Sequence, residues 1–392
     1  LAELDDPGNA LSLRSLTETT TTNGRTVTSR YEAEGRRFID SSPTGRTQLT
    51  EIDARGRVIR KVVPGIAPTT FTYDVRGRLT GTVAGSRTES YGYDARGRMS
   101  TVTDAFGRTT ELSWDLADRL AAIKWPDGRR VSYTYDAAGN RLTVTPPGRA
   151  PHAFAFNLRN SVTGITPPPL SGGSTPTGYS SDRDELTTGV QRPDGATVGF
   201  AYDAARRTTR MTQPAGVTEL PYSTQHGHLA NATAPGGQTI EYAYDGALPT
   251  KFTFSGPIAG EISTTYDADL RVASETVAGT PAITYAFDDD GLLTRAGALN
   301  LNRGADDGLV TTMGIGNSTS TITRTALGEL TSVVSRQGST AVYRLDYARD
   351  AAGRITTKTE QRGTQPATTY SYEYDAADRL RSVTRNGALQ AT

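Results

Sequence analysis

The chain has 392 residues, of which 35% are hydrophobic, 41 are glycine and 20 are proline, so it is rich in turn formers and has little material for one thick core. Its 42 basic and 42 acidic residues leave no net charge, which argues against nucleic acid or an anionic membrane as a partner. Cysteine is absent, which excludes disulfides and thiolate metal sites, and no apolar stretch approaches the ~20 residues of a membrane span.

The start of the chain lacks the repeat that fills the rest. We assign residues 1–29 to an N-terminal lead-in or degenerate repeat, and residues 30–392 to one continuous repeat array. Residue 1 is leucine, and the C-terminus falls where another repeat should begin. We therefore expect the chain to be part of a longer protein.

One phrase, aromatic-x-Tyr-Asp-x-x-Gly-Arg-Leu, recurs about every twenty-one residues, in roughly sixteen copies. A fixed internal period of this length indicates stacked copies of one structural unit. We interpret the recurring residues as a structural signature of that unit, because a residue needed once per copy normally maintains the copy. The signature residues are Tyr73, Asp74, Gly77, Arg78, Tyr93, Asp94, Gly97, Arg98, Trp114, Asp115, Arg119, Tyr135, Asp136, Gly139, Arg141, Tyr202, Asp203, Tyr244, Asp245, Tyr266, Asp267, Asp350, Gly353, Arg354, Tyr374, Asp375 and Arg379.

Each copy of the phrase predicts a β-hairpin. Phe71 and Tyr73 flank Thr72 with the period-2 alternation of a half-buried strand, and the segment 74–77 has the Asp and Gly positions of a type I turn. The segment 79–83 then forms the return strand. In copies such as 99–102, the apolar residues are three apart, which either a β-bulge or burial on both faces of the strand would explain.

Hairpins laid side by side pair their edges and bury a shared aromatic layer, so the predicted fold class is all-β, with very little helix. The tandem hairpins should form a curved, spiralling antiparallel strip. About thirty-two strands at ~4.8 Å give a strip roughly 150 Å wide. Two stretches interrupt the period and are predicted to be irregular loops, near 166–175 and 296–321.

Three groups of side chains resemble catalytic or metal-binding sites. The carboxylates of Asp182, Asp184 and Glu185 and the run 288–290 suggest acid–base chemistry or calcium, and the pair His226 and His228 suggests a metal. The first carboxylate group and the histidine pair fall at repeat turns. The run 288–290 lacks the alternate-residue ligand spacing of an EF-hand loop. We therefore interpret all three groups as turns or solvated loops. Motifs for a serine nucleophile, a phosphate-binding loop or a zinc protease are absent. We therefore predict no enzymatic activity, cofactor or metal.

The arginines beside the turns have a predicted structural role. For Arg78, Arg98, Arg119 and Arg379 we expect either ion pairs with carboxylates of the neighbouring hairpin or stacking on its tyrosines. An alternative reading of the repeated tyrosines and polar residues is a row of sugar-binding sites, since aromatic surfaces also recognise carbohydrate.

The phrases at 93–99, 135–142 and 374–380 resemble the YD repeats of Rhs-type proteins, and the resemblance covers roughly residues 30–390. That family includes bacterial Rhs polymorphic toxins, the B and C subunits of Tc insecticidal toxins, and teneurins. The resemblance implies a strip that spirals into a hollow β-shell, which in the toxins holds a C-terminal effector. The tyrosine- and arginine-rich Rhs core segment and its aspartyl protease site are absent from this sequence, and the segment 5–8 only superficially resembles the cleavage phrase.

From the resemblance we expect a non-enzymatic shell segment that encapsulates a C-terminal toxin or effector. The implied partners are that cargo domain and further shell repeats, together with secretion or delivery machinery, without nucleic acid or a membrane span. The implied location is secreted or on the surface of a bacterium. An extracellular adhesion or carbohydrate-binding surface is the alternative, and an enzymatic role would require an active site supplied by another part of the protein.

Overall fold

The computed structural model describes residues 1–9, 12–169 and 175–391, and their regular elements are β-strands. The strands begin with β1 (Ala2–Leu4), β2 (Leu13–Thr22), β3 (Arg25–Glu32), β4 (Arg37–Ser41), β5 (Thr47–Ile52), β6 (Val58–Val62), β7 (Thr69–Tyr73), β8 (Leu79–Ala84), β9 (Arg87–Tyr93), β10 (Met99–Thr103), β11 (Thr109–Trp114) and β12 (Leu120–Lys124). They continue with β13 (Arg130–Tyr135), β14 (Arg141–Thr145), β15 (His152–Phe156), β16 (Val162–Thr166), β17 (Thr177–Ser181), β18 (Thr187–Gln191), β19 (Thr197–Tyr202), β20 (Thr208–Gln213), β21 (Gly216–Glu219), β22 (Asn231–Thr233), β23 (Thr239–Asp245) and β24 (Leu248–Ser255). The remainder are β25 (Gly260–Tyr266), β26 (Val272–Val277), β27 (Ile283–Phe287), β28 (Leu293–Ala296), β29 (Leu299–Arg303), β30 (Val310–Ile315), β31 (Ser318–Arg324), β32 (Leu330–Gln337), β33 (Thr340–Arg349), β34 (Ile355–Arg362), β35 (Thr368–Tyr374), β36 (Leu380–Arg385) and β37 (Ala388–Ala391).

Strands that follow one another in sequence pair antiparallel, as β7 does with β6 and with β8. The all-β array of tandem hairpins predicted from the repeat is therefore confirmed. No helix among these residues has the length and hydropathy to cross a membrane.

The chain divides into two compact units. Unit 1 comprises Leu1–Glu111, Trp125–Asp127 and the stretch from Thr284 to the last described residue, and unit 2 comprises Leu112–Lys124 and Gly128–Ile283. Within each unit, hairpins alternate two kinds of turn. The signature turn begins at the Asp position of the phrase and joins the two strands of one hairpin. The return turn joins one hairpin to the next and lies at the opposite ends of the strands.

A β-bulge explains the irregular spacing of apolar residues. In the hairpin of β7 and β8, Tyr73 lies opposite Leu79 and Thr72 lies opposite Gly81, so one residue of the return strand has no partner. The hairpin of β9 and β10 shows the same shift between Met99 and Thr101. The extra residue turns the side chains that follow to the other face, so the structure selects the bulge over burial on both faces.

The sheet has almost no closed core. Among the described residues, the buried hydrophobic side chains are Ala122, at 1% exposure, and Val131, at 8%. Most other strand residues are half-buried. A layer of this kind depends on strand pairing and on contacts between neighbouring hairpins, because it buries little apolar surface behind each strand.

The region 296–321 is regular, so the irregular loop predicted there is wrong. It holds β29 and β30 together with the start of β31. Two-residue return turns with Gly297 at φ 57° and Gly316 at φ 54° flank the hairpin of β29 and β30, whose own turn spans 304–309. That turn begins with Gly304 after Arg303 where other copies have Asp after Tyr, so the hairpin persists without the phrase and the sequence period fades there.

The predicted start of the repeat array and the predicted loop near 166–175 can also be placed on the structure. The boundary between residues 29 and 30 lies inside β3, which pairs with β2 on one side and β4 on the other. Half of the irregular loop predicted near 166–175 lies outside the described residues, since 170–174 are not among them.

Candidate functional site

The signature turn is closed by its own aspartate and arginine. In the turn 74–78, the Asp74 carboxylate accepts hydrogen bonds from the backbone N–H groups of Arg76 and Arg78, both at 2.9 Å, and from Arg78 Nε at 2.7 Å. Gly77 has φ 86°, a conformation that costs glycine little. The ion pair therefore fixes the shape of the turn that reverses the chain.

The same arrangement recurs along the array. The carboxylate bonds the arginine four residues later in the pairs Asp53–Arg57, Asp94–Arg98, Asp115–Arg119, Asp203–Arg207, Asp267–Arg271, Asp350–Arg354 and Asp375–Arg379. It also occurs in one return turn, between Asp104 and Arg108, which the sequence analysis missed. The Asp-x-x-Gly-Arg spacing of 104–108 was the available signal.

A clasp made of arginine and tyrosine joins several of the hairpins to the hairpin that follows. The Arg57 guanidinium lies 4.6 Å from the ring centre of Tyr73 in the following hairpin. The Tyr73 hydroxyl donates a 2.8 Å hydrogen bond back to the carbonyl oxygen of Val58. Arg78 and Arg119 stack on Tyr93 and Tyr135 in the same way, at 4.4 and 4.6 Å. Stacking and hydrogen bonding together tie neighbouring signature turns to each other.

This geometry corrects one of the two expected arginine contacts. For Arg78 and Arg119, stacking does reach the neighbouring hairpin, but the ion pair is made within the arginine's own turn. Arg98 likewise pairs with Asp94. Arg379 pairs with Asp375, and its guanidinium also lies 3.8 Å from the more distant Asp127. The five-residue turn places its first and last side chains next to each other, so the arginine pairs with the aspartate of its own turn and not with a carboxylate of the neighbouring hairpin.

Arg141 and Asp245 differ in their contacts from the signature residues at the same positions of other copies. In the turn 136–140, Asn140 bonds the Asp136 carboxylate at 2.8 Å, and Arg141 instead lies over the rings of Tyr133 and Phe154, at 5.7 and 5.8 Å. The insertion of Asn140 shifts the arginine by one position.

Asp245 also departs from the pattern. It pairs opposite Leu248 across a two-residue turn and is exposed, so it does not begin a five-residue signature turn. Tyr244 nevertheless keeps the clasp, with a 3.0 Å hydrogen bond to the carbonyl oxygen of Leu229.

We expect the clasp to be measurable at Tyr93, whose hydroxyl donates to the carbonyl oxygen of Leu79 at 2.7 Å. Tyr93→Phe removes one partly buried hydrogen bond between hairpins and should lower the free energy of unfolding by about 1 kcal/mol. Tyr242→Phe is the control, because the ring of Tyr242 packs on Phe252 while, among the described residues, its hydroxyl has no hydrogen-bond partner. Equal losses in urea unfolding of the two variants would contradict the inter-hairpin role.

Asp53, Asp74 and Asp375 are signature-turn aspartates with lowered pKa values. The Arg57 side chain makes the largest contribution for Asp53 and, with backbone N–H donors, lowers its pKa from 3.8 to about 2. For Asp375, the backbone N–H of Arg379 has the largest effect, and the pKa again falls to about 2. These carboxylates therefore stay ionised, and their turns stay closed, in all but strongly acidic solution.

Stability should depend on pH accordingly. An aspartate whose pKa is depressed by folding contributes stability that is fully present above its unfolded pKa and is lost as the pH falls toward its folded pKa. We expect a flat urea midpoint from about pH 7 to pH 5 and a steep decline between about pH 4 and pH 2. A decline that begins near pH 6.5, where histidine titrates, would contradict this assignment.

The suspected chemical clusters belong to turns. Asp182 accepts hydrogen bonds from the backbone N–H groups of Asp184 and Leu186, and Glu185 pairs with Arg159 at 2.9 Å. His228 stacks on Tyr244 at 4.9 Å. Within residues 1–9, 12–169 and 175–391, no three His, Cys, Asp or Glu side chains converge as a metal site would require.

The acidic run 288–290 has a different role, because it forms part of a contact between distant hairpins of unit 1. Asp290 accepts hydrogen bonds from the Ser42 hydroxyl at 2.8 Å and from the Thr44 backbone N–H at 2.9 Å. Arg46 donates to Asp288 at 3.0 Å and also pairs with Asp290. Burial raises the pKa of Asp290, but the bonds from Thr44, Ser42 and Arg46 outweigh it and lower the pKa to about 2.

We call the whole contact the seam. It joins early return turns to late signature turns, and the bonded residues are 242 to 270 positions apart. The early return turns are 42–46, 63–67, 84–87, 104–108 and 125–127, and the late signature turns are 288–292, 304–309, 325–329, 350–354 and 375–379.

Two further charge clusters lie along the seam. Arg87 bonds Glu329 at 2.7 Å, with both side chains about a quarter exposed. Arg108 bonds Asp378 at 2.6 Å, and Arg354 pairs with the same carboxylate. Between the charges, the backbone N–H of Ala67 donates to the carbonyl oxygen of Ala326 at 2.6 Å. The seam therefore contains directional polar contacts, in which Arg46, Arg87 and Arg108 of the early turns bond carboxylates of the late turns, while Arg379 of a late turn lies near Asp127 of an early one.

The comparisons with known proteins agree with this architecture. The model of the teneurin YD-shell matches residues 12–392. No match was found among curated protein sequences.

Solved structures of toxin complexes have the same fold. A crystal structure of TcdB2-TccC3-Cdc42 matches 92% of this chain and 24% of its own, at 13% identity and a TM-score of 0.62. One of TcdB2-TccC3-TEV matches 95% and 26%, at 13% identity and a TM-score of 0.59. The structure of a Photorhabdus luminescens Tc holotoxin pore with a TccC3 mutation matches 97% and 26%, at 13% identity and a TM-score of 0.55. This chain thus spans about a quarter of the length of those chains.

Proposed function

The chain belongs to the teneurin YD-shell family, and we propose that it is a non-enzymatic segment of a shell wall that encapsulates a C-terminal toxin or other effector of a longer protein. The observation that carries the proposal is the seam, with its bonded pairs of early and late turns in unit 1. Within a row of hairpins, strand pairing joins each hairpin to its neighbours but leaves the turns at both ends of the strands without contacts. Contacts between the turns of two rows also seal the space between those rows. Such a surface excludes proteases and solvent-borne partners without any chemical step.

The thin construction of the sheet supports the same role. Few side chains in the described residues are buried, and the tyrosines, aspartates and arginines that recur are engaged in turns and clasps. A wall needs such internal contacts and leaves both sheet faces available, one toward the contents and one toward solvent. By analogy with the toxin complexes, we propose that the parent protein is secreted or displayed by a bacterium and uses delivery machinery of its own.

The adhesion or carbohydrate-binding alternative has less support. The hydroxyl groups of Tyr73, Tyr93 and Tyr135 already donate to backbone carbonyls of the preceding hairpin. The arginines stack on the faces of the same rings. These aromatic groups are therefore occupied by contacts within the sheet.

Limited proteolysis of the complete parent protein tests the proposal. A domain enclosed by the wall should resist protease at concentrations that digest the same domain expressed alone. Urea that unfolds the β-array should remove the protection. Equal digestion of the enclosed and isolated domains would overturn the proposal.

A further inference from the structure

A cleft of about 220 Å³ lies between two return turns of unit 1, at the ends of β34, β35 and β36 that the seam does not cover. The longer turn connects β34 to β35 through residues 363–367, and the shorter connects β36 to β37 at Asn386 and Gly387. The backbone N–H of Thr369 donates to the Asn386 side chain at 2.8 Å, and the Asn386 N–H donates to the Thr369 carbonyl oxygen at 2.8 Å. These bonds fix the position of the shorter turn against β35.

Arg385 supplies an uncompensated positive charge to this cleft. It lies opposite Tyr370 in the pairing of β35 with β36, and its side chain is exposed. Among the described residues, its guanidinium makes no hydrogen bond, ion pair or ring contact. It differs in this from the arginines of the signature turns, which bond the aspartate of their own turn. Its five N–H donors are therefore available to a ligand.

The acidic side chain of the cleft is already neutralised. Glu360 accepts a 2.9 Å hydrogen bond from Arg362 on one oxygen, and its other oxygen lies 3.2 Å from Lys358 Nζ. Both carboxylate oxygens are thus bonded to cations, and Arg362 itself is 74% exposed. Because two cations share this carboxylate, the charge of Arg385 is left over and the cleft attracts anions.

Uncharged donors lie next to the arginines. The amide of Gln365 and the hydroxyls of Thr368 and Tyr370 line the cleft and, within the part of the chain that the structure describes, make no hydrogen bonds. Tyr370 differs in this from Tyr374 of the same strand, whose hydroxyl donates to the carbonyl oxygen of Ile355 at 2.8 Å. Unused N–H and O–H groups beside two arginines suit a ligand that presents negative charge and many oxygen acceptors.

A sulfated sugar has both properties, since its sulfate carries charged oxygens and its ring hydroxyls accept hydrogen bonds. An extended peptide cannot add to the sheet at this cleft, because β35 is already paired with β34 on one side and with β36 on the other. A membrane surface would require apolar anchors. Among the described residues that line the cleft, the apolar one is Pro366.

We propose that this cleft binds the sulfate group of a sulfated glycan, with Arg385 as its charged contact. Gln365 and Tyr370 then donate hydrogen bonds to the sulfate oxygens or to the sugar hydroxyls beside them. The site does not depend on whether the wall encloses a cargo, and its failure would leave the proposed shell function untouched.

Isothermal titration calorimetry of the complete chain with a chondroitin sulfate tetrasaccharide tests the site. The same tetrasaccharide without sulfate, which keeps its carboxylates, and inorganic sulfate are the comparison probes. The sulfated tetrasaccharide should bind at least ~10-fold more tightly than either, and its affinity should fall at high salt. Equal affinities for the sulfated and unsulfated sugars would overturn the proposal. Inorganic sulfate that binds as tightly as the sulfated sugar would overturn it as well.

Arg385→Ala should lower the affinity for the sulfated tetrasaccharide at least ~10-fold. Its urea midpoint should equal that of wild type, because the side chain has no partner to lose among the described residues. Arg381→Ala is the matched control: it removes the same charge from an exposed position of the same strand, outside the cleft, and should bind like wild type. Gln365→Ala should weaken binding about threefold. Equal losses in the two arginine variants, or no loss in Arg385→Ala, would overturn the assignment of the site.

Discussion

Asp290→Ala is expected to destabilise the protein more than any other single substitution in the seam. The carboxylate is only 9% exposed and accepts bonds from Ser42, Thr44 and Arg46. Its removal takes an acceptor away from the partly buried Ser42 hydroxyl and from the charged Arg46 guanidinium, and also from the exposed Thr44 N–H, which together should cost about 3 kcal/mol. The loss is measured as a fall in the urea midpoint, together with faster amide hydrogen exchange in the turn 42–46.

Asp289→Ala provides the control for that variant. Asp289 precedes Asp290 in the same turn, but its side chain is exposed. Its replacement should change the free energy of unfolding by less than about 0.5 kcal/mol. If the two variants unfold at the same urea concentration, the seam does not contribute to the stability of unit 1.

Asp350→Ala should have the second largest effect, because it opens a signature turn. Asp350 accepts from the backbone N–H groups of Ala352 and Arg354, both at 3.0 Å, and from Arg354 Nε at 2.7 Å. Burial raises its pKa, but these bonds outweigh burial and lower it overall. The loss of two hydrogen bonds donated by backbone N–H groups and of one charge-assisted bond should cost about 2 to 3 kcal/mol in urea unfolding.

Asparagine at the same position separates the two contributions. Asp350→Asn keeps an oxygen that accepts from the backbone and loses only the charge, so it should fall between wild type and alanine. Asp184→Ala serves as the control, since that side chain is 71% exposed. A result in which Asp350→Ala and Asp184→Ala unfold alike would show that the carboxylate does not hold the turn.

The repeat phrase contains most of the local structure. The alternation around Tyr73 and the turn formers at 74–77 predict a hairpin because both are short-range properties of the chain. The spacing of four between Asp74 and Arg78 could also have predicted their ion pair. An ion pair between hairpins is the wrong prediction because contacts that stack one copy on the next are not the nearest ones available to the arginine, whose own turn supplies a carboxylate.

The seam could not be predicted in the same way. Ser42 and Asp290 are 248 residues apart, and Asp290 belongs to a run of acids that resembles a solvated turn. Their contact depends on where a whole row of hairpins lies, which no local pattern encodes. The prediction for 296–321 fails for the opposite reason: the turn 304–309 preserves the hairpin of β29 and β30 although Gly304 stands in place of the aspartate of the phrase.

The most direct test of the wall is cryo-electron microscopy of the complete parent protein. The account predicts a hollow particle whose wall is one β-sheet thick, with the turns around Ser42 and Asp290 in contact and separate density for the enclosed domain inside. A solid particle, or an open ribbon in which these two turns are apart, would contradict it.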